Sequence, residues 1–246
     1  MTEQAPEPYQ PVDEDWHTAL AIVAHPDDME YGAAAAVARW TEQGKNVVYV
    51  MVTSGEAGIA GLDPAECRPL REAEQLASAA LVGVDVVEFL GYPDGVVEYG
   101  LPLRRDVARA VRRHRPDVVI TGNFRDSYGG VFPNQADHIA VGRAVLDGVR
   151  DAGNGWVFRE LADEGHAAWD GVRMLLAAGS PDARHAVDTT GHFARGVASL
   201  KAHGAYLAGL GGDMADADQF LESYGRMAGS RLGVTYAAAF ELIPLR

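Results

Sequence analysis

One pentapeptide near the start of the chain has the residue types of a metal site. Ala24-His25-Pro26-Asp27-Asp28 places an imidazole and two carboxylates in the turn that follows a short apolar run. Imidazole nitrogen and carboxylate oxygen together suit hard and borderline divalent metals. A plainer interpretation fits equally well: Asp28 has the residue type of an N-cap and could simply cap the helix that follows. The two interpretations are compatible, since a capping carboxylate can also be a metal ligand. The pentapeptide by itself leaves both alternatives open.

A second imidazole lies in a comparable position later in the chain. The segment 117–121 has the pattern of a buried strand, and the loop after it ends in Asn134-Gln135-Ala136-Asp137-His138. Because ligands of open α/β sheets bind outside the carboxyl ends of the strands, we expect His138 to share a cleft with His25. Two histidines and one carboxylate leave an open coordination position, as in catalytic zinc sites, although non-haem Fe(II) accepts the same ligand types.

Hydrophobic patterning predicts the elements that must position these residues. Predicted strands cover 19–23, 46–53, 85–90, 117–121, 172–177, 185–188 and 234–243, and predicted helices cover 30–43, 66–81, 103–115, 137–150, 192–207 and 218–227. The helix over 66–81 is predicted to bury the face formed by Leu70, Ala73, Leu76, Ala77 and Ala80. Strands that alternate with helices of this length predict βαβ units. The predicted fold class is therefore α/β, a Rossmann-like three-layer fold with a mostly parallel sheet.

Length and composition narrow the class of protein further. The 246 residues show no strong domain boundary and predict a single domain, 1–246, in which 1–16 form a flexible acidic N-terminal arm. A net charge of −14 argues against nucleic acid or an anionic membrane as a partner. Cys67 is the single cysteine, which excludes an intrachain disulfide, and no apolar stretch has the length of a membrane span. These features predict a cytoplasmic protein, and they are compatible with a homo-oligomer.

Several motifs together resemble the PIG-L/LmbE family of zinc-dependent N-deacetylases. The specific ones are Ala24 to Asp28 and Asp137-His138. Supporting motifs are Thr53-Ser54-Gly55-Glu56-Ala57-Gly58, the Arg71-Glu72 helix leading to Leu81-Val82-Gly83, Pro93-Asp94-Gly95, Pro116-Asp117, and the late helix Ala198 to His203. The resemblance implies an LmbE-like fold, and a small-molecule N-acylated substrate of the N-acetylglucosamine type from which acetyl is removed.

The resemblance also implies a role for each residue of the two motifs. Carried over position by position, the family pattern makes His25, Asp28 and His138 the zinc ligands and Asp27 the general base. Zinc lowers the pKa of bound water toward about 7, and a carboxylate that does not ligate can accept the remaining proton. Adjacent acids in a turn point in different directions, so we expect Asp27 and Asp28 to divide these tasks. No role is assigned to Glu30, which Met29 separates from the motif.

One position departs from the family pattern. The family usually has a histidine three residues before the last ligand, and this chain has Gln135 there, followed by Ala136 in place of a proline. A glutamine amide can donate a hydrogen bond to an oxyanion, but it cannot donate a proton at neutral pH. We therefore predict that Gln135 is a catalytic residue that donates a hydrogen bond to the oxyanion. Asp27 or Tyr128 is predicted to supply the proton to the leaving amine.

Four polar residues are predicted to contact the substrate. Arg71 and Asp94 match positions at which the family contacts sugar hydroxyls, Arg68 is a second choice for the same task, and Tyr128 lies in the loop that leads to His138.

Three functions stay open. The first is a hydrolase that deacetylates an N-acetylglucosamine-type sugar or a related small amide. The second is an amidase that acts on a larger thiol or natural-product conjugate. The third is a non-catalytic, metal-binding accessory protein of the same fold, for which Gln135 is the best argument.

Overall fold

A central β-sheet with helices on both faces forms the framework of the protein. The computed structural model describes residues 7–210 and 212–246. Its strands are β1 (Gln10–Pro11), β2 (Thr18–Val23), β3 (Asn46–Met51), β4 (Val86–Phe89), β5 (Val118–Gly122), β6 (Ser127–Tyr128), β7 (Phe132–Pro133), β8 (Met174–Ala178), β9 (His185–Asp188) and β10 (Ala237–Pro244). Its helices are α1 (Asp28–Gly32), α2 (Ala34–Glu42), α3 (Pro64–Leu81), α4 (Leu101–His114), α5 (Ala136–Ala152), α6 (Glu160–Asp163), α7 (Phe193–Lys201), α8 (Gly204–Gly209) and α9 (Ala217–Leu232), with a 3₁₀ helix over Gly212–Ala215.

The order of the strands creates a crevice at the carboxyl end of β2. Within the described residues, the main sheet has the order β1-β9-β10-β8-β5-β2-β3-β4, and β6 pairs with β7 as a separate hairpin. All pairs in the main sheet are parallel except those of β10, which is antiparallel to β8 and to β9. The chain runs from β2 to β3 and β4 on one side, whereas β5 lies on the other side. A strand order that reverses in this way leaves a binding crevice between the loops on either side of the switch point.

Alternate residues of each central strand supply the two cores. In β2, Ala19, Ala21 and Val23 face the core beneath α2, and Leu20 and Ile22 face the core beneath α4 and α5. A strand that is buried on both faces has the continuous apolar sequence from which it was predicted. The predicted α/β fold with a mostly parallel sheet is therefore confirmed.

Part of the predicted flexible arm is ordered structure. Gln10–Pro11 forms β1 and pairs with β9. Val12 and Trp16 are 6% and 3% exposed, and the Trp16 ring meets that of Trp40 edge-on at 5.2 Å. The prediction overlooked these two apolar side chains, which gain free energy when the edge of the core covers them. Residues 1–6 of the predicted arm lie outside the described residues.

Two predicted helices are interrupted. The helix predicted over 30–43 is observed as α1 and α2, because Ala33 has φ −140°. Gly32, just before this break, lies so close to Ala178 that an added Cβ would be 3.0 Å from the Ala178 side chain. The helix predicted over 192–207 is observed as α7 and α8, with His203 buried between them. No helix in the described ranges has the length and apolar character needed to span a membrane.

Candidate metal centre

Loops that follow β2, β4 and β5 converge on the crevice at the carboxyl end of β2. His25 and Asp28 follow β2, and Asp94 follows β4. Asp137 and His138 lie in the first turn of α5, which begins beyond the loop after β5. Parallel strands end at the same edge of the sheet, so segments that are more than 100 residues apart in the chain meet here.

The side chains of His25, Asp28 and His138 have the spacing of ligands around one ion. His25 Nδ1 is 3.2 Å from His138 Nε2, which is 3.1 Å from Asp28 Oδ1. His25 Nδ1 is 3.8 Å from Asp28 Oδ2. In a tetrahedral zinc site with bonds of about 2.0–2.1 Å, neighbouring ligand atoms lie about 3.3 Å apart. The three side chains, each 12–14% exposed, therefore form a cluster that can hold a divalent ion.

Carboxylates behind His25 orient its ring. His25 Nε2 is 3.0 Å from Asp94 Oδ1 and 3.3 Å from Asp137 Oδ2. The Asp137 carboxylate is itself held by the backbone N–H groups of Gly95 and Val97 at 2.8 and 3.0 Å. A proton on Nε2 is donated to these acceptors, which leaves the Nδ1 lone pair directed at the cluster. A second grouping, His25 with Asp94 and Asp137, is also compact enough for an ion, but it contains only one imidazole.

His138 is oriented from the opposite side. Its Nδ1 is 3.0 Å from Asn134 Oδ1 and 3.1 Å from the hydroxyl of Tyr128. Donation of the Nδ1 proton to Asn134 assigns the free lone pair to Nε2, the atom that faces Asp28. Outer partners of this kind are typical of histidines that ligate metals.

The electrostatics of the cluster are dominated by its carboxylates. Burial by itself lowers the pKa of His25, but the carboxylates of Asp137, Asp28 and Asp94 outweigh it and hold that pKa well above its ordinary value. Burial raises the pKa of Asp28, but the charge of His138 and hydrogen bonds from both histidines hold it well below its ordinary value. An excess of negative charge in a sheltered crevice favours a cation.

Asp27 is not part of the cluster, and it has an unusual backbone conformation. Its φ of +95° lies in the left-handed region, which a non-glycine residue seldom adopts. The residue is 5% exposed, and its Oδ2 lies 3.4 Å from the guanidinium of Arg71. Asp27, rather than Asp28, occupies the N-cap position of α1, and its side chain makes no capping hydrogen bond. The interpretation of Asp28 as the N-cap is therefore wrong, and Asp28 Oδ2 instead accepts the N–H of His25 at 2.9 Å.

The environment of Asp27 gives it the properties of a proton acceptor near neutral pH. Burial raises the pKa of Asp27 to about 6, opposed by the charge of Arg71 and reinforced by the charge of Asp28. A general base works best when its pKa lies close to the working pH. The two adjacent acids thus occupy different environments, as expected from the sequence.

A buried polar network that sequence analysis did not find supports the Asp27 turn. Gln75 accepts the N–H of Asp27 at 3.0 Å and donates to Glu30 Oε1 at 2.9 Å. Glu30 also accepts from Ser78 at 2.6 Å, and its Oε1 lies 3.8 Å from Nε2 of His203, which is fully buried. The available signal was the spacing of Arg71, Gln75 and Ser78, which places three polar side chains on one face of α3.

Replacing Gln75 tests whether this network stabilises the strained turn. Gln75→Met changes the side-chain volume little. It removes the oxygen that accepts the N–H of Asp27 and the amide group that donates to Glu30. We expect the free energy of unfolding to fall by about 1–3 kcal/mol, because buried polar groups lose their partners. Urea unfolding followed by circular dichroism measures this change. Gln43→Met, at an exposed position after α2, is the control and should change it by less than about 0.5 kcal/mol. Equal midpoints for the two variants would contradict the expectation.

The structure places two predicted substrate contacts behind the site instead of in the open crevice. Arg71 is 1% exposed, donates to the carbonyl oxygen of Pro26 at 2.5 Å and lies 3.6 Å from the ring centroid of Tyr206. Asp94 accepts the N–H of Ala57 at 2.8 Å while it contacts His25. Arg71 contacts the turn at Pro26 and Asp27, and Asp94 contacts His25 and the turn at Ala57, so both side chains support the segments that carry the cluster.

The remaining predicted residues lie nearer the solvent. Arg68 is 40% exposed in its side chain and pairs with Glu56 at 2.7 Å. Tyr128 is 41% exposed, with its hydroxyl against His138. Gln135 is exposed and occupies the N-cap position of α5, three residues before His138. These positions lie at or near the rim of the crevice.

Fold and site together define an α/β protein with a two-histidine, one-carboxylate cluster at the topological switch point. The family model for PIG-L, described as GlcNAc-PI de-N-acetylase, matches residues 20–149, just over half of the chain. The chain belongs to the PIG-L family.

Individual relatives agree with this assignment. The chain is 33% identical over 135 residues to a probable N-acetyl-alpha-D-glucosaminyl L-malate deacetylase 2 of Bacillus anthracis, covering 52% of the chain and 57% of the relative. It is 28% identical over 136 residues to the diacetylchitobiose deacetylase of Thermococcus kodakarensis, covering 54% and 49%. The matches thus span about half the length of these curated relatives.

A solved structure extends the similarity of fold to most of the chain. The N,N'-diacetylchitobiose deacetylase of Pyrococcus horikoshii superposes with a TM-score of 0.86 over 94% of this chain and 85% of that one. The sequence identity in this superposition is 23%, so it establishes the shared fold.

Proposed function

We propose that the protein is a metal-dependent hydrolase that removes acetyl from an N-acetylglucosamine-type sugar or a related small amide. The observation that carries the proposal is the two-histidine, one-carboxylate cluster with a separate buried carboxylate, that of Asp27, beside it. Membership of the PIG-L family and the activities of the two curated relatives support the same class of reaction. The acting unit is proposed to be one domain, because β10 pairs in the sheet that contains β2.

Three side chains would hold the metal. His25 offers Nδ1, His138 offers Nε2 and Asp28 offers a carboxylate oxygen, a donor set that suits zinc and also Fe(II). Zinc is the proposed ion. When bound, such an ion supplies Lewis acidity, which lowers the pKa of water and polarises a carbonyl oxygen.

Asp27 is proposed to move the proton. Its carboxylate accepts a proton from the water that attacks the amide carbonyl, and it donates that proton to the amide nitrogen as the C–N bond breaks. The products are acetate and a free amine, so the proton taken from the water ends on the amine. Asp27 suits both steps because burial raises its pKa to about 6 and its carboxylate is not among the clustered ligand atoms.

Gln135 and two residues at the rim are proposed to contact the substrate. The side-chain amide of Gln135 donates a hydrogen bond to the carbonyl oxygen of the substrate, on which negative charge develops. This task needs a hydrogen-bond donor but no proton transfer. Tyr128 and Arg68 are proposed to contact the substrate from their partly exposed positions. This division leaves proton transfer to Asp27.

A second candidate function is a metal-binding accessory protein without turnover. Gln135 favours it, because the histidine that the family usually places there is absent. An amidase acting on a larger thiol or natural-product conjugate would use the same residues on a different amide. Acetate release from an N-acetylated sugar separates the deacetylase from both alternatives.

Removal and return of the metal tests the proposed function. Dialysis against a chelator is expected to abolish acetate release from N-acetylglucosamine and N,N'-diacetylchitobiose, and zinc or Fe(II) should restore it in proportion to the metal bound, because the Lewis acid is essential. Acetate is measured by an enzyme-coupled assay and metal by mass spectrometry. A protein that binds one equivalent of metal yet releases no acetate from these sugars or from a panel of related N-acetyl amides would refute the proposed deacetylase.

A further inference from the structure

We propose that the exposed face of α3 is the interface through which two copies of this chain form a twofold-symmetric dimer. This face, the α3 stripe, lies on the side of the helix opposite Arg71 and Gln75, which contact the Asp27 turn. The inference is independent of the proposed reaction, because no residue of the stripe belongs to the metal cluster.

The α3 stripe is apolar at every exposed position from 69 to 81. Its members are Pro69, Leu70, Ala73, Leu76, Ala77, Ala80 and Leu81. The three leucines are 36%, 51% and 45% exposed, so large side chains as well as small ones face solvent. The members recur at helical spacing over about 18 Å of helix, where a solvent-facing surface normally carries charged side chains. A contiguous exposed apolar surface of this kind marks an interaction site.

The helices that neighbour α3 pack against its other side. The hydroxyl of Ser78 lies 2.7 Å from that of Ser199 in α7, and Glu74 accepts the N–H of Ala205 in α8 at 2.6 Å. These contacts use the polar face of α3, and the stripe stays exposed among the described residues. Covering the stripe with a second apolar surface therefore lowers the free energy of the protein.

The spacing of the stripe makes it complementary to itself. In an antiparallel pair of α3 helices with the twofold axis near position 75, Leu70 lies opposite Ala80 and Ala73 lies opposite Ala77. Leu76 lies next to the axis. Large side chains thus meet small ones, which lets the two helices interdigitate closely. A patch that fits itself about a twofold axis is an isologous interface, the kind found in the commonest homo-oligomers.

Charges at the two ends of the stripe also match in an antiparallel pair. The start of the stripe is flanked by Glu66 and Arg68. Its end is flanked by Asp85 and by Arg195, which donates to the carbonyl oxygen of Leu81 at 3.2 Å. Reversal of one copy brings the acid at each end toward the guanidinium at the other. Since the chain has a net charge of −14, an uncharged stripe with balanced ends is a surface on which two copies can approach without repulsion.

The size of the stripe sets the expected strength of the dimer. A single helix face is smaller than the patch of about 800 Å² per partner that standard protein interfaces bury. The dimer is therefore expected to be reversible, with a dissociation constant on the order of 1–100 µM.

Sedimentation equilibrium of the full chain tests the dimer. The apparent mass is expected to rise from 26.3 kDa toward twice that value between about 1 and 200 µM protein. Leu76→Glu places a carboxylate from each copy near the axis, so the dissociation constant should rise by at least about 100-fold. Leu101→Glu changes another exposed leucine, at the start of α4, and is the matched control that should leave the dissociation constant unchanged.

A cross-link tests the geometry of the pair separately. Cys67 is the single cysteine and is buried, so Ala77→Cys adds an exposed thiol without a competing one. A short bismaleimide is expected to join two copies of Ala77→Cys, because this position lies close to the axis. It should not join two copies of Leu101→Cys, the control at the start of α4.

Each outcome supports or overturns the dimer. A monomer at every concentration would overturn it, and co-sedimentation of that monomer with phosphatidylserine vesicles would assign the stripe to a membrane instead. A dimer that Leu76→Glu leaves intact, or one that gives no Ala77→Cys cross-link, would show that two copies meet elsewhere and would also overturn the proposal. If circular dichroism shows that Leu76→Glu does not fold, the Ala77→Cys cross-link decides.

Discussion

Asp27→Asn is expected to lower kcat for acetate release by about 10²–10⁴-fold while the bound metal stays in place. The amide keeps the size of the carboxylate but can neither accept the proton of the attacking water nor return it to the amine. Asparagine also tolerates a left-handed backbone, so the φ of +95° remains accessible. Asp27 Oδ2 lies 3.4 Å from the guanidinium of Arg71 and Asp27 is not among the clustered ligands, so the ligand set should be unaffected.

Steady-state kinetics and metal analysis on the same preparation measure this effect. Asp85→Asn, at an exposed position before β4 on the opposite edge of the sheet, is the matched control and should leave both kcat and metal content unchanged. Loss of metal from Asp27→Asn would instead identify Asp27 as a ligand. Full activity with metal retained would exclude Asp27 as the base.

His138→Ala is expected to lower metal affinity by at least about 100-fold and to abolish acetate release. Loss of an outer hydrogen-bond partner typically costs 10–100-fold in affinity, and loss of a ligand should cost more. The substitution also leaves Asp28 without the imidazole that lies 3.1 Å from its Oδ1. Two remaining ligands, His25 and Asp28, cannot complete the three-ligand set of a catalytic zinc site.

Competition with a chromophoric chelator measures the affinity, and mass spectrometry measures the metal that remains after gel filtration. His17→Ala is the matched control, because His17 is exposed at the amino end of β2, on the edge of the sheet remote from the site. Native metal affinity in His138→Ala would show that the ion lies elsewhere, with the grouping of His25, Asp94 and Asp137 as the alternative.

Much of the candidate site could be predicted because its residues are anchored to strand ends. The apolar runs that became β2 and β5 are buried on both faces, so their sequences are continuous and easy to recognise. Once two parallel strands are predicted, the residues just after them must meet at one edge of the sheet. His25, Asp28 and His138 were identified in this way, and the structure brings them together.

Helix α3 shows where this approach fails. Apolar periodicity predicted that Leu70, Ala73, Leu76, Ala77 and Ala80 face the core, yet all five are exposed. The helix instead buries its polar face, which carries Arg71, Gln75 and Ser78. Burial of polar groups is favourable only when each finds a partner, and here the partners lie about 45 positions away at Pro26 and Glu30. Pairings at that separation leave no periodic signal in the sequence.

The sequence by itself therefore determined the fold class, the strand ends and the residue types that meet there. Only the tertiary structure decided which partners each side chain has at the site. It placed Asp94 against His25 and Arg71 against Asp27, and it gave the two adjacent acids different partners at a turn with one left-handed residue. The physical reason is that hydrophobic burial is encoded locally and repeats along the chain, whereas hydrogen bonds and charges act over a few ångströms between atoms that only folding brings together.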